Sequence, residues 1–364
     1  MTKPVLNLTG DPRDRGRAHG EIMSKEIDEN LERYLKRFQI LGFEKDAMMA
    51  ESAKWAEALR PKDPIFWDEI DGVVEGSGRT LEEITLLNVR YELLVGMMKS
   101  DAQAQFQPTA MDACTSFAVL PERSKNGDTM IGQNWDWVKD INTVVSRVTR
   151  DDGPDFIHIG ETGTIGGLQG VNEHGIGVVI NALLTPEDGT KNEYEKPYRM
   201  RVRDIMNARN MQEAILAICG TSRSVSMNFL IAHEDGIAMD IETSPDKEAF
   251  IYPEDGLLTH SNHFCELDVE SEVVKLWPNT MYRNVRLERL LRQSQELDVS
   301  TVGSAMADHF SHPHSICAHY DEHEPETLRL QTNHSIMISL KQRTLHITDT
   351  QPCQSDFEEY PLAA

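Results

Sequence analysis

Two short stretches hold the residues best suited to chemistry, Asp112-Ala113-Cys114-Thr115-Ser116-Phe117 and Gly132-Gln133-Asn134-Trp135-Asp136. The first offers a thiol, the second an amide, an indole and a carboxylate. Cys114, Ser116 and Ala118 alternate with Thr115, Phe117 and Val119, the period of a strand. A hairpin through Ser124-Lys125-Asn126-Gly127-Asp128 would lay the two runs side by side and bring Cys114 near Asp136 at one edge of a sheet. A thiol becomes nucleophilic as its thiolate, which takes a nearby base or a positive field. No histidine lies close to Cys114 in sequence. One route needs none: if the bond before Cys114 is cut, the freed α-amino group, with a reference pKa of about 8, can take the thiol proton. Ala113 is too small to obstruct attack on its own carbonyl. The residues alone leave a second reading open, a strand-start cysteine packed as a small hydrophobe.

Elements able to position these groups follow from the patterning. The chain has 364 residues, 39% hydrophobic and 26% charged, long enough for one large domain or two ordinary ones. Up to about residue 110 the spacing is helical. A turn at Gly10–Gly16 enters a helix that continues through Phe38, and further helices are expected at Ala47–Leu59, Phe66–Glu75 and Leu81–Leu94. Thr80-Leu81-Glu82-Glu83 reads as an N-cap. Met97–Met111 turns small and polar and reads as an exposed linker. Strands are then expected at 115–120, 129–135, 144–149, 155–159, 164–171 and 176–182, and helices at 198–208 and 211–219. Further strands follow at 227–233, 237–242, 248–252 and 257–261, then helices at Met281–Gln293 and Thr301–His309, and strands at 328–340 and 344–349. Strands and helices in blocks, without strict alternation, indicate α+β layers.

Composition narrows the function. Asp and Glu number 60 against 36 Lys and Arg, a formal charge of -24. Such a surface repels nucleic acid and anionic membranes, so neither is expected as a partner. No apolar run approaches the ~20 residues of a membrane span, and the N-terminus lacks a signal-peptide core. The cysteines at 114, 219, 265, 317 and 353 are odd in number and form no CxxC. That argues for a reducing, cytoplasmic setting and against a disulfide framework or a zinc site. Asp308-His309-Phe310-Ser311-His312-Pro313-His314 is histidine-rich, but its proline breaks any registry and no HExxH occurs. It reads as a loop, and neither metal nor cofactor is expected.

The Cys114 and Asp136 stretches resemble the acyl-CoA:6-aminopenicillanate acyltransferase family (isopenicillin N acyltransferase, peptidase family C45), which are N-terminal nucleophile hydrolases. The likeness runs nearly end to end. It includes Gly10, Gly16, His19 and Gly20; Gly170-Val171-Asn172-Glu173-His174-Gly175-Ile176-Gly177 with Asn181-Ala182-Leu183; and Thr259-His260-Ser261-Asn262-His263-Phe264. Arg286-Leu287-Glu288-Arg289-Leu290-Leu291 and Ser315-Ile316-Cys317 complete it.

The resemblance implies a four-layer αββα sandwich with a helical N-terminal flank. It implies that Cys114 is both the residue that cuts the Ala113–Cys114 bond and the catalytic nucleophile, although alanine stands where the family usually has glycine. Residues 1–113 and 114–364 would be the two subunits of an α/β heterodimer within one compact domain. Asp136 would orient the new amine, and Asn262 would supply the oxyanion hole. Asn181, Arg329, Asn134 and Trp135 would contribute to substrate binding or to the oxyanion, Arg329 from beside the nucleophile. Gln133 stands where related bile-salt hydrolases and penicillin V acylases have arginine, which argues against their substrates. The expected reaction is hydrolysis of a small N-acyl amide through an acyl-cysteine; transfer of an acyl group, from a CoA thioester or an amide, to an amine is the alternative. Phe117, Trp135 and Trp137 fit an acyl pocket or plain core packing equally. Two other classes stay open, a metal-dependent hydrolase using the His309–His323 region and a binding protein with an inert Cys114.

Overall fold

The computed structural model describes residues 2–100, 113–326 and 329–363. Much of the expected linker, residues 101–112, lies outside them. Five helices open the chain: α1 (Pro12–Ile22), α2 (Ser24–Ile40), α3 (Lys45–Leu59), α4 (Pro64–Ser77) and α5 (Leu81–Ser100). Before them a short strand, β1 (Val5–Leu8), pairs in parallel with β4 (Thr143–Val148), which the helical spacing of the flank concealed. The expected first long helix is two, broken at Met23, whose backbone leaves the helical region. α5 runs to Ser100, beyond the expected end at Leu94.

The remaining strands are β2 (Ala113–Val119), β3 (Met130–Val138), β5 (Phe156–Glu161), β6 (Gln169–Asn172), β7 (Ile176–Ala182), β8 (Met227–His233), β9 (Ile237–Thr243), β10 (Glu248–Ile251), β11 (Leu257–His260), β12 (Leu330–Ser339), β13 (Thr344–Thr348) and β14 (Phe357–Pro361). They form an eight-stranded sheet, ordered β1-β4-β5-β6-β7-β8-β9-β10, and a six-stranded sheet, ordered β11-β2-β3-β12-β13-β14. The expected strand at 164–171 survives only from Gln169. Gly166 and Gly167 take φ of +97° and +75°, and a Cβ on Gly166 would lie 2.4 Å from the Arg199 carbonyl oxygen, so the chain turns there.

Side-chain alternation sorts the core into three layers. Ala118, Ile131, Val179, Leu230, Ile336 and Ile347 fill the space between the sheets. On the outer face of the large sheet, Val178 and Ile180 pack with Ile27, Ile70 and Leu87 of the N-terminal helices and with α6 (Tyr198–Asn207) and α7 (Met211–Cys219). On the outer face of the small sheet, Phe117, Val119 and Met337 pack against α9 (Thr280–Leu291) and α10 (Val299–Met306), while α8 (Val273–Leu276) is a single turn. The order helix, sheet, sheet, helix is the expected αββα sandwich.

Glycines of the opening signature serve this packing. α1 crosses α4 so closely that a Cβ on Gly16 would sit 2.0 Å from the Glu69 oxygen and one on Gly72 would sit 2.2 Å from the Arg13 oxygen. His19 accepts the Gly163 N–H through Nε2 at 3.0 Å, and burial lowers its pKa to about 4, which keeps it a neutral acceptor.

Glu161 ties the flank to the large sheet. Its carboxylate is buried and meets Arg90 Nη2 and Arg199 Nη2 at 2.6 Å each, with the Tyr34 hydroxyl donating at 2.6 Å. Burial alone would raise its pKa, but the two guanidinium groups outweigh that and hold it at about 2, against an ordinary 4.5. A lowered carboxylate stabilises the fold above its unfolded pKa and loses that contribution as pH falls through the folded value. Glu161→Gln is therefore expected to cost about 3 kcal/mol at neutral pH. The gap from wild type should shrink between pH 4.5 and pH 2, read by urea unfolding across that window.

Candidate active site

The β2–β3 hairpin forms through the expected turn and sets Cys114 opposite Trp135 and Ala113 opposite Asp136. Directly opposed residues of an antiparallel pair share a face, so the thiol and the indole stand together at the end of the inter-sheet layer. Cys114 does not lie on an edge strand, because β11 covers the other side of β2. That pairing runs from Val119 only to Ser116, opposite His260. The chain leaving β11 then brings Asn262 to the uncovered end of β2.

There Asn262 Oδ1 accepts the Cys114 N–H at 2.7 Å. Its own backbone N–H donates to Thr280 Oγ1 at 2.8 Å, and its Nδ2 donates to the Ala182 carbonyl at 3.0 Å. A side-chain amide nitrogen carries two hydrogens, so this last bond commits one of them. Arg283, from α9, closes the arrangement. Nη1 donates to the Cys114 carbonyl at 2.6 Å and to Thr115 Oγ1 at 2.7 Å, and Nη2 donates to Asn262 Oδ1 at 2.7 Å. Arg283 is fully buried; burial lowers its pKa, and the neighbouring Asp136 and Cys114 oppose that shift. Asp136 is also buried, and its Oδ1 accepts the Thr332 hydroxyl at 2.6 Å.

The turn carrying Asn262 is held from behind by Glu242. That carboxylate accepts the backbone N–H of Cys265, Glu266 and Leu267 and lies 2.8 Å from His260 Nε2. Burial lowers the His260 pKa, but its contacts to Cys265 and Glu242 outweigh burial and hold it well above the ordinary value. The His260-Ser261-Asn262-His263 run is thus a rigid mount for one amide.

The other expected residues divide. Asn181 reaches across from β7, its Oδ1 accepting the Ser116 hydroxyl at 2.7 Å and Asn228 Nδ2 at 3.2 Å. Its Nδ2 has no acceptor among the described residues. Trp135 packs on His334, ring centroids 5.2 Å apart. Asn134 faces the opposite way, donating to the carbonyls of Met306 and Ile316 at 2.9 and 2.8 Å, so it anchors the outer layer instead of facing the thiol. Arg329 differs from the expectation as well. Its guanidinium binds the carbonyls of Glu324 and Glu322 and lies over Tyr320, and Arg283 is the cation beside Cys114. Phe117 belongs to the outer core, while Trp137 donates to the Tyr34 hydroxyl and stacks under Arg90. Gln133 is committed to the Ile180 carbonyl.

Two largely antiparallel sheets between helical layers, with a cysteine at the head of an inner strand, define the N-terminal nucleophile fold. Residues 123–354 match the family described as acyl-coenzyme A:6-aminopenicillanic acid acyl-transferase, and the chain belongs to that family. The matched span includes Asp136, Asn262 and Arg283 and begins after Cys114. The 40 kDa form of acyl-coenzyme A:6-aminopenicillanic-acid-acyltransferase from Emericella nidulans is 24% identical over 330 residues, covering 87% of this chain and 86% of that protein. Among solved structures, the Caenorhabditis elegans ortholog of N-acylethanolamine-hydrolyzing acid amidase is 13% identical with a TM-score of 0.47, over 62% of this chain and 93% of its own. Penicillin V acylase from Agrobacterium tumefaciens is 11% identical with a TM-score of 0.45, over 68% and 86%.

Proposed function

We propose that this protein is a self-processing cysteine amidohydrolase that cleaves a small N-acyl amide through an acyl-cysteine. The observation that carries the reading is the clamp on Cys114. The amide N–H that would become the catalytic amine is held by Asn262, and the carbonyl on the other side is held by Arg283. Both groups are fixed by contacts of their own, so the thiol sits on a preorganised backbone.

In processing, the Cys114 thiol adds to the Ala113 carbonyl, the C–N bond breaks as the nitrogen takes a proton, and a thioester remains. Water hydrolyses the thioester and leaves the Ala113 carboxylate and the free Cys114 amine. In turnover, that amine takes the thiol proton, the thiolate adds to the substrate carbonyl, and the amine returns the proton to the leaving nitrogen. The second Asn262 Nδ2 hydrogen, or the Asn181 Nδ2 group, is a candidate donor to the oxyanion. Asp136, opposite Ala113, would orient the new amine. The subunits are 1–113 and 114–364, no metal takes part in this chemistry, and a cytoplasmic setting suits the reduced thiol. Transfer to an amine acceptor, with an amide or an acyl-CoA as donor, is the alternative fate of the same acyl-cysteine.

The test is an acid quench of the purified protein after mixing with an N-acyl nitroanilide or an acyl-CoA. An acyl group on the peptide that begins at Cys114 supports the reading, and added amine then separates transfer from hydrolysis. No adduct from either donor would overturn it. Asn262→Ala is expected to lower kcat by about 10²–10³ with a smaller change in KM, measured by steady-state nitroaniline release.

A further inference from the structure

Away from Cys114, four side chains converge with the shape of a metal site. They are His309, just beyond α10; Cys317 and His319, in the loop before β12; and Cys353, after β13. One ligand atom from each lies within 4.8 Å of all the others. The Cys317 and Cys353 sulfurs are 3.5 Å apart, so they are not bonded as a disulfide. His319 Nε2 is 3.7 Å from Cys317 Sγ, 3.5 Å from Cys353 Sγ and 3.1 Å from His309 Nε2. A tetrahedral zinc with the usual bond lengths would set its ligands about 3.8 Å apart for two sulfurs, about 3.6 Å for sulfur and nitrogen, and about 3.3 Å for two nitrogens. These four observed edges each lie within about 0.3 Å of those values.

We infer that these residues bind one zinc ion as a structural Cys2His2 site. Two soft thiolates with two imidazoles favour zinc over magnesium, calcium or manganese, which prefer oxygen. Four protein ligands leave no open position for water, so the site is not a hydrolytic centre. Access exists: a cleft of about 820 Å³, lined in part by His312, His319, Gln351 and Gln354, opens alongside.

Its position suggests what the ion does. Ala318, between two of the ligands, donates its N–H to Thr332 Oγ1 at 2.9 Å and accepts the Thr332 N–H at 3.0 Å. That same hydroxyl donates to Asp136 Oδ1. Ile316 accepts from Asn134 on the other side, and Cys317 N–H donates to the carbonyl of Asp308, whose carboxylate is gripped by Arg286 of α9. Zinc would fasten the loop that supports Asp136 to two other segments, the end of α10 and the chain after β13. It would act as a staple two hydrogen bonds from Asp136.

The test is metal analysis of the full-length protein after dialysis against metal-free buffer, followed by replacement with cobalt(II). Near one zinc per chain is expected. The cobalt protein should show a thiolate charge-transfer band in the near ultraviolet and the intense visible bands of a tetrahedral ion. His309→Ala, a change at an exposed ligand, should weaken zinc retention by about tenfold or more. Cys114→Ala should leave both stoichiometry and spectrum unchanged. Stripping the ion should lower the Tm by several degrees. A wild-type chain with no zinc and no such spectrum would overturn the site, as would Cys317 and Cys353 recovered in one disulfide-linked peptide.

Discussion

Cys114→Ala is expected to purify as one uncut polypeptide and to release no amine from any N-acyl substrate. The wild-type chain should split between Ala113 and Cys114. Intact mass under denaturing conditions reads the first result, and a nitroanilide assay reads the second. On the proposed mechanism one sulfur serves both reactions, so the loss should be total. Alanine leaves Cβ in place and removes only that atom, and Cys114 is 1% exposed, so the vacated space is small. The fold should persist with a loss of about 1 kcal/mol. A variant that still splits at this bond would place the cut in other hands. A wild-type chain that stays whole would keep the Cys114 nitrogen in a peptide bond, where it cannot act as the base.

Arg283→Met is expected to slow processing and turnover by about 10²–10³ and to cost about 3 kcal/mol of stability. The methionine keeps most of the stem but leaves the Cys114 carbonyl and Thr115 Oγ1 without their guanidinium donor. It also removes a positive charge whose field reaches Cys114 and Asp136. A cation favours the thiolate, so its loss raises the thiol pKa. The acidic limb of the pH–rate profile should therefore move to higher pH, by about one unit. That shift separates a positioning role from mere loss of folding, which would lower the amount of active protein at every pH alike. Arg283→Lys should restore the pH profile more fully than the rate, because an ammonium carries the charge but not the fork that spans Asn262 and Cys114.

The two strands of the site were legible because their signals are local. Alternation from Cys114 and the Asn126-Gly127 turn were enough to pair β2 with β3, and the same alternation puts Trp135 inside and Asn134 outside. The placement of Asn134 among the binding residues overlooked that parity. Arg283 also left a signal: it shares the buried face of α9 with Leu287 and Leu291, four and eight positions on. A charge in line with an apolar stripe needs a buried partner, and the likeness to the run from Arg286 drew attention one turn too late. Arg329 was misplaced because position along a chain does not fix which way a guanidinium turns. β1 is a short edge strand whose partner, β4, lies far along the chain, and β14 is a short, mostly unburied edge strand without a clear apolar alternation, so nothing nearby marks them. The metal ligands lie in the same case. Cys353 follows Cys317 by 36 residues, and only the meeting of two loops makes them a pair.

Because β1 and the Tyr34 and Arg90 side chains belong to the segment before Cys114, yet are built into the sheet and charge cluster of the segment after it, severing the chain changes the order of the folding reaction. The intact polypeptide refolds at a rate independent of its concentration. The severed one must recruit two molecules, so dilution opposes its recovery and its unfolding midpoint rises with concentration. On the proposed processing, each molecule would mature in one direction only: assembled while covalently whole, it would become a complex that, once lost in dilute solution, is slow to form again.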